Sequence, residues 1–213
     1  MQASRSATAL VGAALQVLLL LLLTVPANGQ ETTRVSVDSS GVEGNGWSEG
    51  RSMSADGQIV AFDSAASNLV AGDTNGVQDV FVHDRCETAT STNYGTGFAG
   101  TNGVPSFTSQ ADPVLGSTVT LDLANSYGNS TAGLVLVGYQ ETLVSTNKGG
   151  DLLLVPAFTF LVTLAPGGIS IAGALPADDA LCGFEVFVQA LELDPGAAKG
   201  MSFTAGLKLV LGH

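Results

Sequence analysis

The loop from Asp73 to Asp79 places oxygen-bearing residues at alternating positions, as the first half of an EF-hand calcium loop does. The donors that this spacing offers are the side chains of Asp73, Asn75 and Asp79 and the carbonyl of Val77. Calcium takes six to eight hard oxygens, and an alternating loop curls its donors around one point. The alternative is an Asx turn in an Asn-Gly hairpin with solvated acids. The sequence therefore predicts a candidate calcium loop, with the plain turn left open.

Two pairs of carboxylates are candidates for acid–base hydrolysis. Asp178 and Asp179 are adjacent in a segment typical of a solvated turn, and Glu192 and Asp194 form the second pair. A serine triad needs a central histidine, but His83 lies in a strand-like run and the chain contains no GxSxG motif. We therefore expect no catalytic residues. Without a P-loop or a supported dinucleotide motif, calcium is the one cofactor to consider.

Trp47 and Tyr94 are isolated aromatic residues in segments that read as loops. Protein surfaces that bind sugars use such rings as stacking platforms, and a β-sandwich can carry them. A loop aromatic can equally cover the edge of a hydrophobic core. Both interpretations stay open at this stage.

Charge and composition narrow the class of protein. Seven Lys and Arg residues against nineteen Asp and Glu residues give a net charge of −12, which excludes binding to a phosphate backbone. Apolar residues make up 45% of the chain, enough for a folded core, while charged residues make up only 12%. The 27 glycines favour a turn-rich β protein over a coiled coil.

Residues 1–29 have the pattern of a secretory signal peptide. Arg5 provides the positive charge, Leu18 to Leu23 is an unbroken leucine run, and small residues at Ala27 and Gly29 predict cleavage before Gln30. A retained membrane anchor is the alternative, although no basic cluster follows the apolar stretch. The pattern predicts a secreted or cell-surface protein with no membrane span after cleavage.

Export changes the interpretation of the two cysteines, Cys86 and Cys182. An oxidising compartment favours a disulfide between them, and two small buried residues are the alternative. A zinc site is not expected, because the spacing of the cysteines and histidines fits no closed zinc pattern.

Turn signals divide the remaining chain into short strands. Residues 30–93 hold strand-like runs separated by an Asp-Gly turn and an Asn-Gly loop, which predicts a small antiparallel sheet. Residues 94–213 hold seven or eight short strands spaced by glycine, proline and asparagine, which predicts an antiparallel β-sandwich. In that segment, 202–211 is predicted to be one strand with Phe203 and Leu207 on the same face. The predicted fold class is all-β, with a blade-like sheet unit before the sandwich.

Two stretches resemble known families. "SMSADGQIVAF" with "NLVAGDTNGVQDVFVHD" resembles a TolB-type β-propeller repeat over about residues 32–85. "YGTGFAGTNGVPSF", "PVLGSTVTLDLANS" and "LCGFEVFVQALELDPGA" resemble a C-terminal module of secreted planctomycete-type bacterial proteins over about 94–212. The first resemblance implies one blade rather than a propeller, because a closed propeller needs about four to eight blades. The second implies architecture and no activity.

These features predict an exported, non-enzymatic β protein that acts as a structural or binding module at the cell surface or outside the cell. Its partner is expected to be a protein or a glycan. A carbohydrate-binding adhesin is the second hypothesis, and a fragment of a secreted hydrolase is the third.

Overall fold

The computed structural model describes residues 32–55 and 57–213, and these residues form antiparallel sheets with no α-helix among them. The predicted all-β class is confirmed. The described residues fall into two units, 32–86 and 87–213. The predicted signal peptide at 1–29 lies outside the described residues. No helix in the described part of the chain combines the length and apolar character that crossing a bilayer requires.

The first unit is a three-stranded antiparallel sheet. Its strands, in sheet order, are β1 (Ser48–Met53), β2 (Ile59–Ser64) and β3 (Asp79–Asp84). The β1–β2 turn contains Gly57 at φ +77°, the left-handed conformation expected of the predicted Asp-Gly turn. Phe62 pairs with Phe81 across β2 and β3 and forms a small core with Ala66 and Leu69. The other face of β3 exposes Val80 and Val82.

The second unit contains eleven strands. They are β4 (Thr90–Tyr94), β5 (Phe107–Ser109), β6 (Thr118–Leu123), β7 (Thr131–Gly138), β8 (Glu141–Ser145), β9 (Asp151–Leu154), β10 (Phe158–Leu164), β11 (Ile169–Ala174), β12 (Glu185–Leu193), β13 (Met201–Phe203) and β14 (Gly206–Val210). A short 3₁₀ helix, Asp179–Leu181, precedes β12.

These strands form three layers. The central layer is a six-stranded sheet in the order β10-β7-β12-β14-β4, with β13 beside β12. One face packs on the three-stranded sheet β11-β6-β5 through an aliphatic core that includes Leu121, Val137 and Val188. The opposite face packs on the β8–β9 hairpin through a second core that includes Leu154 and Phe203. Burial on both faces explains why β7 reads as a nearly continuous apolar run.

The second unit begins earlier than residue 94, the predicted boundary. β4 pairs along its whole length with β14, from Tyr94 opposite Gly206 to Thr90 opposite Val210. The backbone of Ala89 also donates to the carbonyl of His213. Strand pairing therefore assigns 87–93 to the second unit, although composition groups these residues with the acidic segment.

The prediction of one strand over 202–211 is wrong. β13 pairs with β12 in the register Leu191 opposite Phe203, whereas β14 pairs with Val188 opposite Leu207, so the register shifts by one residue between them. A one-residue shift turns side chains to the other face of a sheet. Phe203 consequently lies in the core under the β8–β9 hairpin, while Leu207 lies in the core between the sheets.

Candidate functional site

The Asp73–Asp79 loop precedes β3 and is held by its own asparagine. The side-chain oxygen of Asn75 accepts a hydrogen bond from the backbone of Val77 at 2.9 Å, which closes an Asx turn. The Asn75 amide nitrogen donates to the Asp79 carboxylate at 2.9 Å, and Gly76 takes φ +70°. These are the contacts of the plain-turn alternative.

A calcium ion in this loop needs a different arrangement of the same residues. The oxygen of Asn75 is occupied by the Val77 amide, and its nitrogen points to Asp79, so the Asn75 amide must turn over before both side chains can ligate. Among the described residues, no three His, Cys, Asp or Glu side chains gather where they could hold a metal. Calcium binding through Asp73, Asn75, Val77 and Asp79 stays a prediction.

A cavity of the first unit lies on the Phe62 face of the sheet. It is an open cavity of about 500 Å³. Phe62 and Phe81 line it, stacked with ring centroids 5.7 Å apart, together with His83 at the far end of β3. Asp38 joins them from the preceding loop. Because Phe62 is buried, the half-buried Phe81 is the ring that gives the cavity an apolar wall beside the Asp38 carboxylate and the His83 imidazole.

Asp38 carries a negative charge at the edge of this cavity. Its carboxylate accepts hydrogen bonds from the backbone of Val42 and from both the hydroxyl and the backbone of Ser40, each at 2.8 Å. The bond from Val42, followed by those from Ser40, holds the pKa of Asp38 below its ordinary value. Sequence reasoning missed this residue. The Asp38-Ser39-Ser40-Gly41 turn pattern was the available signal, but a turn pattern does not show that its aspartate borders a cavity.

The sequence pair Glu192 and Asp194 is buried in the second unit. Glu192 is 2% exposed and Asp194 is fully buried. The Glu192 carboxylate accepts from the backbone and hydroxyl of Ser126, from the backbone of Tyr127 and from the hydroxyl of Ser202. The Ser126 hydroxyl also lies 3.4 Å from Asp194 and thereby connects the two acids.

Asp194 is surrounded by hydrogen-bond donors. Its oxygens accept from the backbone and hydroxyl of Thr101 and from the backbones of Gly196 and Ala197. Burial, the largest single effect, raises the pKa of Asp194, but the combined hydrogen bonds outweigh it and hold the pKa below its ordinary value. The group therefore stays ionised and ties three chain segments together.

The other acid pair lies at the surface. Asp178 caps the 3₁₀ helix by accepting from the backbone of Ala180 at 3.1 Å. Asp179 contacts the imidazole of His213 at 3.0 Å at the surface. Asp178 thus caps a helix and Asp179 contacts a surface histidine, as the solvated-turn interpretation expects.

Trp47 and Tyr94 have different surroundings. The indole of Trp47 is 62% exposed, while its backbone carbonyl accepts from Ser64 and Ala65. Tyr94 ends strand β4 instead of lying in a loop, and its hydroxyl donates to the carbonyl of Leu153 at 3.0 Å. Its ring covers Gly206, and burial raises the pKa of Tyr94 to about 12. Trp47 is therefore a surface ring on a fixed backbone, whereas Tyr94 covers a core.

Cys86 and Cys182 are both disulfide-bonded, at bonding distance from each other. The predicted pairing is thus present in the structure, and neither cysteine is left as a free thiol.

Comparison of the chain with family models, with curated proteins and with solved structures finds no match. The resemblances to a TolB-type repeat and to a planctomycete-type module stay predictions.

Proposed function

We propose that the protein is an exported, non-enzymatic module that has a structural or binding role at the cell surface or outside the cell. The observation that supports a non-enzymatic role is that Glu192 and Asp194 are used as internal hydrogen-bond acceptors. Glu192 and Asp194 accept hydrogen bonds from several internal donors each, and both are closed off from solvent. A catalytic acid or base must reach a substrate and exchange its proton. These two carboxylates instead hold the sandwich together.

The test is a panel of p-nitrophenyl esters and glycosides incubated with the chain expressed from Gln30 onward. We expect chromophore release at the rate of buffer alone. The hydrolase alternative would be established if chromophore release were faster than in buffer and Glu192→Gln abolished it. The control Asp178→Asn, which alters an exposed acid of the same unit, should then leave the release intact.

Export is supported by the disulfide as well as by the leader. A Cys86–Cys182 bond persists in oxidising compartments and is rare in the cytosol. The N-terminal residue of the protein recovered from the medium or cell surface of an expressing bacterium should be Gln30. Recovery of the chain with Met1 to Gly29 attached would support the anchor alternative.

Carbohydrate binding is the second candidate, favoured by Trp47. An indole that is 62% exposed on a hydrogen-bonded backbone can stack on a sugar face at little ordering cost. Trp47 is the single tryptophan of the chain, so intrinsic fluorescence reports on this position alone. Beside the ring, the half-buried Ser48 hydroxyl donates to the buried Ser64 hydroxyl at 2.9 Å and keeps acceptor capacity for a sugar hydroxyl.

A glycan array probed with the labelled chain, with and without calcium, identifies oligosaccharides to titrate. Each should shift the Trp47 emission if the ring is the platform. Trp47→Ala should abolish array binding, while Met53→Ala, an equally exposed residue of the same unit, should leave it unchanged. Array binding that survives Trp47→Ala would exclude this platform.

A calcium effect is tested by thermal melting in millimolar calcium and in chelator. Because the hydrogen bonds of the Asx turn are complete without an ion, the plain-turn alternative predicts that the two melting curves coincide. A higher melting temperature in calcium that Asp73→Ala removes would instead support ligation by Asp73, Asn75 and Asp79.

A further inference from the structure

Strand β10 is an open edge of the central sheet. Its seven residues pair with β7, from Phe158 opposite Val137 to Leu164 opposite Thr131. Within 32–55 and 57–213, no strand pairs with its other side. A free edge carries unpaired backbone donors and acceptors that can pair with another strand.

This edge lacks the features that protect edges from pairing. The segment 152–177, which contains β10, has no charged residue and no histidine, and β7 has none either. Leu161, in the middle of β10, is 75% exposed, more than any other large apolar side chain of the described residues. Edge strands in soluble proteins ordinarily carry a charge or a bulge at such a position.

The residues of β10 are symmetric about Leu161. Outward from it, the positions match as Phe160 with Val162, Thr159 with Thr163, Phe158 with Leu164, Ala157 with Ala165 and Pro156 with Pro166. In three of these pairs the two residues are identical, and in the other two pairs both residues have large apolar side chains. In an antiparallel pair around a two-fold axis, each residue faces its match.

We infer that two copies of this chain pair through β10, antiparallel, with Leu161 on the two-fold axis. Each Leu161 then packs on its counterpart and each Thr159 faces a Thr163, a favourable cross-strand pair. The central sheets of the two copies become continuous. Pro156 and Pro166 lack the backbone donor needed to extend the pairing, so they limit it to the strand between them.

Charge explains why the two copies meet at this strand. The chain carries a net charge of −12, so most orientations of two copies are repulsive. The uncharged β10–β7 edge brings no like charges together at the junction. Other edges also lack charge, but the outward positions of β11 are Ser170, Ala172 and Ala174, which offer no large apolar side chain to bury.

The experiment uses the chain from Gln30 onward, which keeps every described residue, in sedimentation and light scattering over a concentration series. We expect a mass twice that of the single chain at high concentration. Leu161→Lys places two ammonium groups together on the axis and should give the single-chain mass. Leu143→Lys alters a residue of the β8–β9 hairpin that is 72% exposed and should leave the mass doubled.

Cross-linking tests the register. Directly opposed residues of antiparallel strands have Cβ atoms about 4.5–5.5 Å apart. Under mild oxidation, Leu161→Cys should therefore give a covalent dimer that reductant separates, while Leu143→Cys should not. A single-chain mass at all concentrations, a doubled mass that survives Leu161→Lys, or a loss of the dimer in Leu143→Lys would each overturn the proposal.

Discussion

Glu192 and Asp194 show how a residue pair visible in the sequence acquires its role. Glu192 lies near the end of β12 and Asp194 directly follows the strand, and alternate residues of an extended chain face the same side. Burying two carboxylates is costly unless hydrogen bonds compensate for the lost water. Here Ser126, Thr101 and Ser202 provide those bonds from distant parts of the chain.

Replacing Asp194 by Asn should destabilise the second unit by about 2–4 kcal/mol, since the amide nitrogen of asparagine then faces the donors that the carboxylate accepted. The free energy of unfolding in urea measures this loss. Glu141→Gln removes the same charge from an exposed position of β8 and should change the stability by less than about 0.5 kcal/mol. Equal stabilities for Asp194→Asn and the unmodified chain would contradict a structural role.

The lowered pKa of Asp194 predicts how the stability lost in Asp194→Asn depends on pH. A carboxyl whose folded-state pKa lies below its ordinary value of 3.8 stabilises the fold at higher pH. The contribution disappears as the pH falls through the folded-state value. The stability difference between the unmodified chain and Asp194→Asn should therefore be constant from about pH 5 to 8 and shrink below about pH 4. A stability difference that grew on acidification would contradict a lowered pKa of Asp194 in the folded state.

At the scale of elements, the β8–β9 hairpin forms a layer that the sequence did not reveal. Its strands have mixed polar and apolar faces and a register irregularity between Glu141 and Val144, so no clear alternation marks them. Its inner residues nevertheless complete the second core. Leu154 is fully buried there, against the face of the central sheet that carries Phe203.

Leu154→Ala should cost about 2–5 kcal/mol of unfolding free energy, because it leaves a cavity in a closed core. Leu143→Ala removes the same atoms from the same hairpin at an exposed position, and should cost less than about 0.5 kcal/mol. The comparison is made by chemical denaturation of both variants. Similar effects from the two substitutions would mean that the hairpin does not cover the sheet.

At the scale of the whole molecule, strand pairing decides where the second unit begins. A fragment 87–213 keeps β4 and the backbone bonds between Glu87, Ala89 and His213, whereas a fragment 95–213 loses them and exposes β14 as a new edge. With Cys182→Ser in both, 87–213 should melt cooperatively, and 95–213 should melt at a lower temperature. Calorimetry decides between them, and equal melting temperatures would place β4 outside the folded unit.

Parts of the molecule were predictable for identifiable reasons. The signal for strand Phe158–Leu164 is local, because apolar residues alternate along it and Pro156 and Pro166 flank it. The strand pair β2–β3 followed from the turn signals around it. The break between Phe203 and Leu207 was not predictable, because it depends on a register shift against β12, a partner outside the local sequence.

By itself the sequence determined the all-β class and the two cysteines available for pairing, because composition, turn residues and side-chain alternation are local properties. The leader at 1–29 stays a prediction. The tertiary structure decided which acids are buried, which of the two isolated aromatics is exposed and which strand is left at an edge. Those outcomes depend on contacts between residues far apart in the chain. Trp47 and Tyr94 were equivalent in sequence, but Tyr94 ended up over Gly206 because β4 pairs with β14, more than a hundred residues along the chain.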